Sequence, residues 1–231
     1  MEPVIFVPGL NCDGDLFRDQ LAILSDTHTA RVADHTRDAS MAAIARRILD
    51  ETPEDRFALF GLSMGGYVAL EIFAQAPERV SRLGLFNTSA RADTDEAKDN
   101  RRKLIALAQA GRFDEVCETL WPKLVAENRV DDVELRARVD AMAERVGPEA
   151  FIRQQEAIMG RRDQRDRLSE IAVPTLVLVG ADDRLTPPHL AQEMAEAIGP
   201  ATLGVVPDCG HLSTIERPES VNRALRAFLA A

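Results

Sequence analysis

Apolar positions along this chain follow two alternating rhythms. Short runs dense in β-branched, aromatic and leucine residues occur at 3–7, 57–60, 80–86, 174–180 and 201–206, with a weaker one at 29–33. Each reads as a strand. Between them, apolar residues recur at helical spacing. Leu16, Phe17, Leu21 and Leu24 share one face, as do Met41, Ile44, Ala45 and Ile48 behind Ser40 as N-cap. Further helices are expected from about 66 to 75, stopped by Ala76-Pro77, from Pro187-Pro188 with Thr186 as N-cap, and over 220–229. Near-continuous apolar strands alternating with helices predict a mostly parallel sheet covered on both faces.

The rhythm breaks over 90–167. That stretch has no strand pattern and four highly charged helical segments, at about 95–110, 114–125, 133–146 and 149–159, with Gly147-Pro148 dividing the last two. Each carries a narrow apolar stripe. Four such helices between two strands of a regular alternation read as an inserted lid. The expected organisation is a core domain from 1–89 and 168–231, with a helical lid at 90–167.

Composition narrows the function classes. With 231 residues, 45% apolar and 29% charged, one α/β domain with an insertion is expected. No apolar run approaches the length of a membrane span. The N-terminus lacks a basic region and cleavage site, so the expected location is cytoplasmic. A formal charge of −10, no basic stripe, and one Trp and one Tyr argue against a nucleic-acid partner. Cys12, Cys117 and Cys209 match neither a disulfide framework nor a metal-ligand spacing. They are expected to be reduced thiols, and neither a metal nor a cofactor is expected. Cys209 lies two residues before His211, close enough that a thiol reagent is expected to crowd it. The expected partner is a small-molecule substrate; no oligomeric state is read from the sequence.

Chemistry enters at Gly61-Leu62-Ser63-Met64-Gly65, between an apolar strand and a helix. A G-x-S-x-G in that setting is a nucleophile elbow, a turn so sharp that the serine is strained and its hydroxyl projects from the sheet edge. The elbow requires an acid and then a histidine later in the chain, each just after a strand. Asp183 follows the strand ending at Val179, and His211 follows the strand ending at Val206.

These motifs resemble the α/β-hydrolase superfamily, in the lid-bearing branch of small esterases, enol-lactonases and C–C hydrolases. Gly180, Asp183 and Pro187 match its G-x-x-D-x-x-x-P pattern, and Gly210, His211, Glu216 and Pro218 its G-H…E-x-P pattern. The resemblance implies an α/β-hydrolase fold of about six strands, with the usual N-terminal hairpin missing. It selects Asp183 over its neighbour Asp182. Asn87 follows the strand where some relatives carry the acid, and it cannot ionise. The implied catalytic residues are Ser63, Asp183 and His211, with activity rising as His211 loses its proton. The family often has His-Gly after its first core strand; here Pro8-Gly9-Leu10-Asn11 stands there. The oxyanion hole is expected from the backbone N–H groups of Leu10 and Met64. Substrate contacts are expected from Asn11, Asn87, Trp121, Met142, Phe151, Met159 and Arg161. The implied activity is cleavage of a small or medium carboxylic ester, thioester or lactone. The alternatives are C–C hydrolysis, lyase or perhydrolase chemistry on the same triad, or a receptor-like ligand-binding module with slow turnover.

Overall fold

The computed structural model describes residues 2–231. Its sheet has six strands: β1 (Pro3–Val7), β2 (Thr29–Val32), β3 (Phe57–Leu62), β4 (Val80–Phe86), β5 (Thr175–Gly180) and β6 (Ala201–Val206). They lie in the order β2-β1-β3-β4-β5-β6, and every pairing is parallel. The connecting helices are α1 (Arg18–Leu24), α2 (Met41–Asp50), α3 (Met64–Gln75), α4 (Asp95–Gln109), α5 (Phe113–Leu124), α6 (Val133–Met159), α7 (Pro188–Ala197), α8 (Ser213–Glu216) and α9 (Pro218–Ala230).

Strand alternation sorts the core into two layers. Ile5, Val7 and Leu59 face α2, α3 and α7, meeting Ile44, Val68, Ile72 and Met194. Val4, Phe6, Phe60 and Phe86 face the other way, meeting Leu16, Phe17, Val221 and Leu225. Phe6 stacks on Phe17 at 4.7 Å between ring centroids, and Phe60 bridges Phe6 and Phe86. β6 departs from the all-buried expectation. It is an edge strand, and Leu203 and Val205 are 38% and 51% exposed.

Ser40 caps α2 as its sequence suggests, with Oγ accepting from Ala43 N–H at 3.3 Å. Thr186 does not cap α7, which starts at Pro188. The stretch between β4 and β5 carries α4, α5 and α6. The last is two helices in one, because Gly147 sits at φ 78°, ψ 164° and breaks the helical path before Pro148.

Candidate active site

The chain runs from β1 to β2 on one side, then crosses back to β3 on the other. The β1/β3 boundary is therefore a topological switch point, where the loops at the strands' carboxyl ends part and leave a crevice. The segments holding Gly9–Asn11, Ser63, Asn87, Asp183 and His211 all follow strands at this edge.

Ser63 has φ 56°, ψ −117°, a conformation costly for any residue with a side chain. The turn is tight enough that a Cβ on Gly61 would overlap the Gly65 carbonyl, and one on Gly65 would overlap the Val7 carbonyl oxygen. Ser63 Oγ lies 2.8 Å from His211 Nε2, and His211 Nδ1 lies 2.8 Å from Asp183 Oδ2. A carboxylate only accepts, so the Nδ1 proton points at Asp183 and Nε2 is left to accept from the hydroxyl.

Asp183 is 3% exposed and densely solvated by protein groups. Its Oδ2 also accepts from Asn87 Nδ2 at 2.9 Å and Thr186 Oγ1 at 2.7 Å. Its Oδ1 accepts the backbone N–H groups of Leu185 and Thr186, both at 2.9 Å. Burial alone would raise its pKa. The His211 imidazole, then the bonds from Asn87 and Thr186, outweigh burial and hold the carboxyl at about 2. Because the folded value lies below the unfolded one, Asp183 stabilises the fold above pH 3.8. That contribution is lost as pH falls from 3.8 towards about 2.

Glu216 braces the histidine loop. It is 3% exposed, and its Oε2 accepts from Ala126 N–H at 2.9 Å and Gly210 N–H at 3.1 Å, while Oε1 accepts from Leu212 N–H at 3.1 Å. Burial pushes its carboxyl pKa up, against the pull of those three donors. Glu216→Ala would orphan the Ala126 and Gly210 N–H groups beside His211, at about 1–3 kcal/mol each, while Leu212 N–H keeps its bond to Leu124 O at 3.0 Å. A urea melt should lose at least about 2 kcal/mol, with Glu216→Gln falling between; a melt unchanged by either would contradict the bracing.

Neither Leu10 N–H nor Met64 N–H donates to another protein group among the described residues. Met64 opens α3, where the positive end of the helix dipole lies. The loop bearing Leu10 is held from behind. His35, 2% exposed, brings Nε2 within 3.0 Å of Gly9 O and 3.1 Å of Gln154 Nε2. Gln154 Oε1 in turn accepts Asn11 N–H at 3.0 Å. Burial keeps the His35 pKa down.

Ser63 and His211 open into a cavity of about 140 Å³. Helices α4, α5 and α6 supply its apolar lining, including Leu104, Leu120, Trp121, Val139, Ala143 and Ile158. Of the expected substrate contacts, Asn11 and Trp121 line it, and Trp121 is anchored by Nε1–H donating to Val130 O at 2.9 Å.

The other expected contacts are corrected. Asn87 is fully buried and serves as scaffold. Besides Asp183 it donates to Gly210 O at 3.1 Å, and its Oδ1 accepts from Ser213 Oγ at 2.6 Å. Met142 is fully buried with Leu135 and Val139, while Phe151 packs edge-on against Phe113. Met159 is half-buried and off the cavity wall. Arg161 lies behind the wall, over the Tyr67 ring at 4.2 Å and paired with Asp93 at 2.7 Å. Cys209 is fully buried, and burial pushes its thiol pKa far up; Cys12 and Cys117 are the cysteines that line the cavity.

Sequence reasoning missed Thr186, His35, Gln154, Gln155 and Arg101. The two glutamines carried a signal. They occupy the stripe positions between Phe151 and Ile158, at i+3 and i+4, where apolar residues belong. A polar residue there marks a buried hydrogen-bonding site.

Comparison with known proteins gives the family. A thermophilic esterase from Thermogutta terrifontis superposes with a TM-score of 0.90 at 31% identity, covering all of this chain and 90% of its own. A provisionally named carbamate hydrolase of Azorhizobium caulinodans is 28% identical over 242 residues, 98% of this chain and 90% of the relative. The 3-oxoadipate enol-lactonase 2 of Acinetobacter baylyi is 25% identical over 240 residues, 98% of this chain and 88% of the relative. Residues 24–218 match the family described as alpha/beta hydrolase fold. The chain belongs to that family, and it is a hydrolase.

Proposed function

We propose that the chain is a serine hydrolase that cleaves a small or medium carboxylic ester, thioester or lactone through an acyl-enzyme. The observation that carries this reading is the unbroken row from Ser63 Oγ through His211 to Asp183, with both links at 2.8 Å, opening into an apolar cavity.

His211 Nε2 takes the Ser63 proton as Oγ attacks the substrate carbonyl carbon, and the carbonyl electron pair moves onto oxygen. The N–H groups of Leu10 and Met64 hold that oxyanion; each such donor is worth about 2.7–4 kcal/mol. As the tetrahedral species collapses, His211 returns the proton to the leaving oxygen or sulfur. Water then repeats the sequence on the Ser63 ester and releases the acid. Asp183 remains ionised, fixing the imidazole tautomer and stabilising the imidazolium. Residues 90–167 act as the lid, excluding water and shaping the acyl site. Names among the relatives, esterase and enol-lactonase, support carbonyl–oxygen cleavage.

The test is turnover of p-nitrophenyl esters of graded acyl length and of simple lactones, in wild type and in Asp183→Asn. Turnover of short to medium esters is expected, with Asp183→Asn slower by roughly 10⁴-fold through the wrong imidazole tautomer. Negligible turnover of every ester and lactone by the folded wild type would refute the reading.

A further inference from the structure

The cavity above Ser63 is largely apolar, with Asn11 and Asp140 among its polar lining and a cationic wall where α4 meets α6. There Arg101 Nη1 donates to Gln155 Oε1 at 2.8 Å. A guanidinium has only donors, so this contact fixes the Gln155 amide with its carbonyl towards Arg101. Its Nε2 then faces away from the arginine. Gln155 lines the cavity, is 0% exposed, and its Nε2 is buried without an acceptor. A buried N–H without a partner costs about 1–3 kcal/mol, and folded proteins rarely retain one that no ligand or water satisfies.

Charge points the same way. Arg101 Nε donates to Asp93 Oδ2 at 2.6 Å, and Arg161 Nη1 pairs with Asp93 Oδ1 at 2.7 Å. Two guanidiniums therefore share one carboxylate whose side chain is 5% exposed, which leaves one positive charge in excess. Asp140, the cavity's acidic lining residue, pairs with Arg136 Nε at 2.8 and 2.7 Å, and Arg136 Nη2 also reaches the exposed Glu118 at 3.2 Å. Arg101 also keeps N–H bonds beyond those to Asp93 and Gln155. Spare donors and excess positive charge on one wall of an apolar cavity suit a group that only accepts and is negative.

We propose that Arg101 and Gln155 form a carboxylate subsite, so that the substrate is an ester or lactone carrying a second, free carboxylate. This rests on the reading of Ser63 as nucleophile. Gln155 Nε2–H and Arg101 donate to the carboxylate while the scissile carbonyl lies at Ser63.

The experiment pairs acidic esters with their methyl-capped counterparts. One pair carries the charge on the acyl side (p-nitrophenyl hydrogen glutarate), and the other on the alcohol side (4-acetoxybutanoate, followed by proton release). Wild type should favour the acidic member of at least one pair by roughly 10-fold or more in kcat/KM, mainly through KM. Gln155→Glu keeps an acceptor for Arg101 but replaces the free donor with negative charge, and should abolish or reverse the preference. Gln155→Met should narrow it, with both variants melting near wild type. No preference in either pair, or a preference that survives Gln155→Glu, would overturn the subsite. If no ester is cleaved, the serine-hydrolase reading fails instead. Glutarate binding to Ser63→Ala by calorimetry then decides the subsite alone. Affinity at least 10-fold weaker in Ser63→Ala/Gln155→Glu supports it, and equal or absent binding overturns it.

Discussion

Ser63→Ala is expected to lose esterase turnover by roughly 10⁶-fold, the scale seen when a triad nucleophile is removed, while the protein keeps its fold. Among the described residues the hydroxyl supplies the one oxygen hydrogen-bonded to His211 Nε2, at 2.8 Å, and its loss leaves the Leu10 and Met64 N–H groups and the cavity in place. Backbone strain sharpens the prediction. At φ 56°, ψ −117°, Ser63 occupies a region costing about 1–3 kcal/mol for a residue with a Cβ. Alanine keeps that cost, so Ser63→Ala should melt close to wild type. Ser63→Gly relieves it, less about 0.5–1 kcal/mol of added chain entropy. The glycine variant should therefore be as stable as wild type or up to about 2 kcal/mol more stable, and equally inactive. Activity in either variant above a few per cent of wild type would place the nucleophile elsewhere.

Gly65→Ala is expected to cost more stability than any single truncation in the core, where Phe→Ala runs at about 3–5 kcal/mol. Its Cβ would overlap the Val7 carbonyl oxygen and crowd that of Pro8. Both are main-chain atoms of β1 and its exit loop, and β1 is pinned by parallel ladders to β2 and β3. Neither the strand nor the helix can withdraw without breaking its own hydrogen bonds. The variant should be recovered insoluble, or unfold at far lower urea than wild type. Gly199→Ala is the control, because a Cβ there meets nothing within 4 Å. Wild-type melting of Gly65→Ala would contradict the elbow geometry.

The core was legible from the sequence because burial on both faces leaves a plain record in strands. The runs at 3–7 and 80–86 coincide with β1 and β4. The four-residue α8 went unseen, since one turn is too short to show a period. Asp183 and His211 could be placed by their positions after strands. The residues that hold them could not. Asn87 acts on Asp183 through a side-chain direction that arises only once β4 and β5 are adjacent, and Thr186 through the fold of the loop it shares with Asp183. A sequence reading of the inserted helices identifies a buried stripe but not what it is buried against. That is why Met142 and Phe151 pack between elements while Leu104, Ala143 and Ile158 face the cavity. Arg161, expected at the substrate, instead lies over the Tyr67 ring and pairs with Asp93.

The account stands on Ser63 being the activated nucleophile, and the most direct measurement is intact-protein mass with peptide mapping after treatment with a fluorophosphonate. Wild type should gain one adduct, on Ser63, and lose turnover in proportion. Ser63→Ala should gain none, and His211→Ala should label at a small fraction of the wild-type rate. An adduct on another residue, or a folded wild type that resists labelling, would contradict the account.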